Sequence, residues 1–269
     1  MRIKKPVSQG DEPATVNGRA SYWLRTQTPL ASLIVLVPLI LFYETSLAVL
    51  GKNAVRNALA MDGAMNDIKA RRLLFDFFEW LGINGYYLPG LVIAAILISW
   101  HLIRRDPWWF SPRTYLFMWI ESLVLVVPLF VFAMIYIQKM QIAAAGAEDL
   151  HTVEAIVLSI GAGIYEELLF RLIGITLLHM LLVDWLKLPR KWGAATVIAA
   201  TAIGFSLYHD PFDRDNIHRL GLFVFYACTG VYFAGIYLLR GFGIVAWTHA
   251  LYDIFALIQK LQYDYDTVV

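Results

Sequence analysis

The chain has 269 residues, of which 59% are hydrophobic and 16% charged, with a formal net charge of +1. A soluble domain carries closer to a quarter charged residues, and a mean hydropathy of +0.60 excludes an ordinary soluble globule. The near-neutral balance gives no footing for nucleic acid or an acidic substrate, and the single cysteine, Cys228, excludes an internal disulfide.

Residues 1–28 are polar, hold Pro6, Gly10, Pro13 and Gly18, and read as a mobile cytoplasmic tail. Apolar stretches long enough to cross a hydrocarbon core of about 30 Å follow, at 29–50, 86–103, 114–137, 153–182, 193–209, 220–239 and 243–259. The first is too long and too far from the start for a cleaved signal peptide, so it should stay as a membrane helix bent near Pro38. The expected fold is all-α, a polytopic helical membrane protein with about seven (or eight) transmembrane helices. Within the link before the second span, residues 71–81 have the pattern of an amphipathic surface helix or of an early start to that span.

Lys and Arg set the expected orientation. Arg2, Lys4, Lys5, Arg19 and Arg25 lie in the tail, Arg104, Arg105 and Arg113 before the third span, and Lys187, Arg190 and Lys191 before the fifth. The positive-inside rule then puts the N-terminus in the cytoplasm and, with seven spans, the C-terminus outside. Trp108, Trp109, Trp185 and Trp192 fall at the inferred cytoplasmic ends, as an interfacial aromatic belt would.

Three polar groupings interrupt the later spans. Glu166, Glu167 and Arg171 lie within six residues of the fourth, where a charged group costs several kcal/mol unless it faces protein or water. On a helix Glu167 and Arg171 are i,i+4 neighbours and can pair, while Glu166 points about 100° away and is the carboxylate left to act. Gly161 and Gly163, one turn earlier, should let another helix approach closely. Phe205 and His209 end the fifth span, again i,i+4, so the ring can wall the imidazole on one side. His249 and Asp253 repeat that spacing in the last span, where the carboxylate can orient the imidazole. Taken singly, these are also the marks of an ion-pair knot, an interfacial histidine and a helix–helix hydrogen bond. Glu44 and Glu121 each stand alone and read as packing or cavity-lining acids.

Glu-Glu-x-x-x-Arg, Phe-x-x-x-His and His-x-x-x-Asp, in that order on three membrane helices, resemble the CAAX-protease and bacteriocin-processing family, which contains the type II CAAX prenyl endopeptidase. The resemblance covers about residues 153–260, and nothing specific is recognised in the first 150. It implies a glutamate-dependent intramembrane endopeptidase whose helices enclose a hydrated catalytic cavity. Glu166 with His209 would activate a water, His249 with Asp253 would form the oxyanion site, and Glu167, Arg171 and Phe205 would support them. No cofactor is expected. Where the family also carries Asn, this chain has Asp253, which weakens the donor role at that position. Counting residues also puts Glu166 and Asp253 near mid-membrane but His209 nearer the outer end of its helix.

The resulting division is a tail at 1–28, N-terminal membrane helices at 29–150, a protease domain at 151–260 and a tail at 261–269. The expected partners are a membrane-associated peptide or protein substrate and the lipid bilayer, in the plasma (inner) membrane. Two other readings stay open: a zinc protease with Glu166, His209 and His249 as ligands, though no His-Glu-x-x-His helix supplies ligands and base together, and a non-proteolytic adaptor or transporter that keeps the polar cluster.

Overall fold

The structure is a computed structural model, and it describes residues 15–16, 19–49, 69–83, 88–140, 152–211 and 219–268. Part of the expected tail is structured: a two-residue hairpin, β1 (Thr15–Val16) against β2 (Arg19–Ala20), leads into a short helix, α1 (Tyr22–Thr26). Polar contacts hold α1 in place. The Tyr22 hydroxyl donates to Glu121 at 2.6 Å, Arg240 pairs with the same carboxylate through Nη2 at 2.8 Å, and Trp23 lies 3.5 Å beneath the guanidinium. The solitary acid Glu121 is thus a partly buried ion-pair anchor, in keeping with the packing role expected for it. Gly241 turns the chain beside this knot with φ +92°, and a Cβ there would meet the Thr26 carbonyl at 3.0 Å.

Among the described residues, the expected spans are helical almost throughout. The first is α2 (Pro29–Val49), whose Thr28 accepts the Ala31 N–H at 3.3 Å as an N-cap and whose first residue is proline, where a missing N–H costs nothing. Next comes α3 (Lys69–Trp80), which closes on Gly82 at φ +76°. There Ile83 N–H reaches Phe78 O and Gly82 N–H reaches Glu79 O, a Schellman cap. This stop decides between the two readings of residues 71–81: α3 is a separate amphipathic helix, with Ala70 buried and Leu73, Phe77 and Trp80 exposed, and the second span starts afresh as α4 (Leu88–Arg104).

Helix α5 (Pro112–Met140) exposes Leu116, Val124, Val127 and Val131 on one side and buries Met118, Ser122 and Leu129 on the other, as a helix between lipid and protein should. Helix α6 (Thr152–Glu167) runs on without a break through a π-helix (Leu168–Ile175), one α-turn (Thr176–His179) and a second π-helix (Met180–Trp185). Helices α7 (Arg190–Tyr208), α8 (Arg219–Arg240) and α9 (Phe242–Val268) complete the bundle. The last runs through most of the expected C-terminal tail. Of the described helices, five are long and apolar enough to cross a membrane: the segments Pro29–Ser46, Pro112–Tyr136, Ala155–Trp185, Leu220–Arg240 and Phe242–Gln259. Gly90–Arg104 is a shorter apolar helix. The fold is that of a helical membrane protein.

Helix α9 sits at the centre, packed by α6, α5, α2 and α8, with Ile244, Val245, Ala246 and Ala250 buried. Small residues set the spacing. A Cβ on Gly163 would fall 2.6 Å from the Ala250 backbone nitrogen, so α6 and α9 touch backbone to backbone, as the two glycines led one to expect. Gly161 leaves room for the Tyr43 ring, and the neighbouring Tyr165 donates to Glu44 at 3.2 Å, so that acid too is a packing group between α2 and α6.

A Gly163→Leu substitution should therefore cost about 2 kcal/mol or more, the upper part of the range for overpacking. Gly235, with nothing within 4 Å of a built Cβ, should accept alanine with no loss. Unfolding of the purified protein in detergent compares the two.

Candidate active site

The three polar groupings converge. Glu166 and Glu167 close the α-helical part of α6, and the π-helix begins at the next residue. The i→i+5 turn is wide and recurs at functional sites; here Gly174 makes room, since a Cβ on it would press 3.1 Å from the Leu169 carbonyl. Across from this rod, α7 runs antiparallel in constant register. Gly193 faces Val183, Thr201 faces Gly174, Gly204 faces Phe170, and His209 faces Glu166. Trp185 lies 19 residues after Glu166, and His209 lies 19 residues after Arg190. The two arms of this hairpin are equal, so His209, at the very end of its helix, still stands level with Glu166. Its terminal position and its level with Glu166 are therefore compatible.

Glu166, Glu167 and Arg171 are at most 1% exposed. The expected i,i+4 pair forms, with Arg171 Nε 3.1 Å from Glu167 Oε2. The guanidinium also donates to the Gly230 carbonyl at 3.3 Å and lies over Phe205, Phe233 and Phe170 at 4.5, 5.4 and 5.8 Å. A planar, weakly hydrated cation suits such a cage far better than lysine would. The other oxygen of Glu167 meets His249 Nδ1 at 2.8 Å. Glu167 therefore bridges Arg171 to His249, where sequence reasoning had it supporting Glu166. Asp253 faces the opposite edge of His249, 3.5 Å from Nε2, so the carboxylate expected to orient that ring is the more distant of two.

His209 presents Nε2 to Glu166 Oε2 at 3.7 Å, while its Nδ1 bonds the Phe205 carbonyl at 2.8 Å. Phe205 packs against both histidines, with ring centroids 4.6 Å from His209 and 6.0 Å from His249. The wall expected for one imidazole thus serves two. Glu166 is sealed, but the side chains of His209 and Asp253 are 14% and 28% exposed, so the cluster opens on the side of these two residues. Among the described residues, no three His, Cys, Asp or Glu side chains form a group that could hold a metal ion.

Three neighbours escaped the sequence reading. Tyr226 stacks on His209 at 4.2 Å, Phe233 stacks on His249 at 4.6 Å, and Gly230 takes the Arg171 hydrogen bond. All lie on α8, whose interior carries no charged residue to draw attention. The available signal was their i, i+4, i+7 spacing, which puts them on one helical face.

A family model described as Type II CAAX prenyl endopeptidase Rce1-like matches residues 148–255. No curated protein and no solved structure matches the chain. Every residue of the cluster falls inside the matched segment.

Because it leaves Glu167 buried with its cation gone, Arg171→Met should destabilise the fold by about 3–5 kcal/mol. Glu166→Gln keeps shape and neighbours and should unfold with the wild type. Thermal denaturation of the two variants in one detergent checks the contrast.

Proposed function

Because residues 148–255 match the Rce1-like type II CAAX prenyl endopeptidase family model, we propose that this chain is an intramembrane glutamate-dependent endopeptidase. It hydrolyses a peptide bond of a membrane-associated protein or peptide by means of a water activated between Glu166 and His209.

The observation that carries this reading is the pairing of those two side chains. A backbone carbonyl only accepts hydrogen bonds, so the His209 Nδ1 beside Phe205 O carries a proton. In the neutral ring Nε2 is then an acceptor, and it faces a carboxylate oxygen at 3.7 Å. Two acceptors separated by more than a hydrogen-bond length are well bridged by a water that donates one proton to each. The lone pairs of that water point away from both bases, toward the side on which a peptide carbonyl would approach. As its oxygen adds to the carbonyl carbon, Glu166 or His209 takes the proton and then passes it to the amine nitrogen as the C–N bond breaks. No side chain need become acylated. The one serine of α7, Ser206, is fully buried and donates to the Phe223 carbonyl at 2.7 Å.

The developing oxyanion needs a donor. His249 is fixed through Nδ1 by Glu167 and turns Nε2 toward Asp253. A proton shared between Nε2 and Asp253 Oδ2 is the donor this side of the site offers, from whichever atom holds it. Asparagine would supply an N–H outright, whereas Asp253 supplies one only while it shares that proton. The reaction uses neither metal nor cofactor in this reading.

Cells expressing wild type, Glu166→Ala and His209→Ala at matched levels separate this proposal from an adaptor or transporter. Membrane-protein termini present only with the wild type and reduced about 100-fold or more in both variants are the expected result. Identical terminus profiles for all three would exclude proteolysis by this site. Cleavage by the purified protein should persist under chelation, and activity lost to a chelator and restored by zinc would move the mechanism to a metal.

A further inference from the structure

His209 occupies an awkward place for a base that must be held to within a fraction of an ångström. It is the first residue beyond α7, and helix ends fray because their last carbonyls lack partners in the helix. The turn that follows is tight: Asp210 adopts φ +44°, a left-handed conformation that aspartate tolerates better than most residues and that its surroundings here reinforce.

Those surroundings are the first turn of α3, more than 130 residues away in the chain. Lys69 forms an ion pair with Asp210. Its Nζ also lies 3.4 Å from the Tyr208 carbonyl and 5.8 Å from the centre of the Tyr208 ring. Ala70 N–H, one of the donors a helix start leaves unpaired, is taken up by the Tyr208 hydroxyl at 2.8 Å. The residues on both sides of His209 are therefore gripped by one turn of one helix. A cation caps the carbonyl end of α7 while a hydroxyl of α7 caps the start of α3. The grip has a fixed base, because the Arg71 guanidinium lies 5.7 Å from the Tyr43 ring of α2, and Ala70 is buried beneath.

We propose that Lys69 is a positioning residue for His209, holding the end of α7 so that the imidazole meets Glu166; this rests on the reading of those two as the water-activating pair. Lys69 lies outside residues 148–255, so the N-terminal half of the chain completes the site. The side chains of the pair are 31% and 39% exposed, and ion pairs that solvent reaches add little to global stability. Loss of Lys69 should thus move His209 without unfolding the protein, and a displacement of about 1 Å in a catalytic group can cost roughly 100-fold in rate.

The test uses full-length purified protein and two readouts. Deuterium exchange at the imidazole C2 position, followed by mass spectrometry, reports on each histidine without any need for substrate. In Lys69→Met, His209 exchange should rise several-fold while His249, tied to Glu167, keeps the wild-type rate. Cleavage of a substrate identified by its wild-type-only termini should fall about tenfold or more. Lys69→Arg, which keeps the cation, should restore both readouts. Asp210→Asn removes the pair from the other side and should reproduce both the faster exchange and the slower cleavage. Wild-type exchange and cleavage in Lys69→Met, or disagreement between Lys69→Met and Asp210→Asn, would overturn the proposal. If the wild type cleaves nothing yet Lys69→Met still frees His209, the clamp stands and the catalytic reading fails.

Discussion

The bridge from Arg171 through Glu167 to His249 is the constraint on which the rest of the site depends. Three ionisable groups are sealed where water cannot solvate them, and each is tolerable only because of the next. The guanidinium gives Glu167 its counter-charge, three phenylalanine rings enclose the guanidinium while the Gly230 carbonyl accepts from it, and the second oxygen of Glu167 orients His249. The chain of contacts ties α6, α7, α8 and α9 together in one layer. Glu166 stands in the same layer and faces His209.

Placement of the acid-base pair is a matter of register. The α6 rod and α7 are equal arms of a hairpin, packed closely at Gly193 against Val183, and Glu166 and His209 meet at its far end. The π-turns after Glu167 adjust the rod where the cluster needs room for a whole arginine side chain. Close packing of α6 on α9 at Gly163 and Ala250 brings Glu167 within reach of His249 in the same way. Packing of small residues therefore decides the chemistry as much as the charged groups do. In a bilayer this is expected, since helices gain little from hydrophobic contact with one another and associate through close backbone approach and buried polar groups.

Much of this was legible in the sequence, for one reason: charge at membrane depth is costly and stands out against an apolar background. That cost made Glu166, Glu167, Arg171, His209, His249 and Asp253 visible, and the i,i+4 rule paired Glu167 with Arg171 as the structure does. Partners between helices were not legible from spacing alone; the pairing of Glu166 with His209 came from the family resemblance. Local spacing assigned Asp253 to His249, yet Glu167, 82 residues earlier, is the nearer partner. Lys69 was invisible because it lies in a basic link where one more lysine carries no signal. The π-helix left no trace either, since a wider turn uses the same residue types as an α-turn. Tyr226, Gly230 and Phe233 share a helical face, but in an apolar helix that face looks like any other until its neighbours are known.

The central claim is that Glu166 and His209 act on a single water as one unit. Residues that work as a unit lose their effects together, so the losses on removing each do not multiply. The most direct measurement is the cleavage rate of one defined substrate by Glu166→Ala, His209→Ala and the double variant, at saturating substrate in a common detergent. A double variant no slower than the slower single variant is the result this account predicts. Losses that multiply would contradict it, because two groups contributing independently do not share one water.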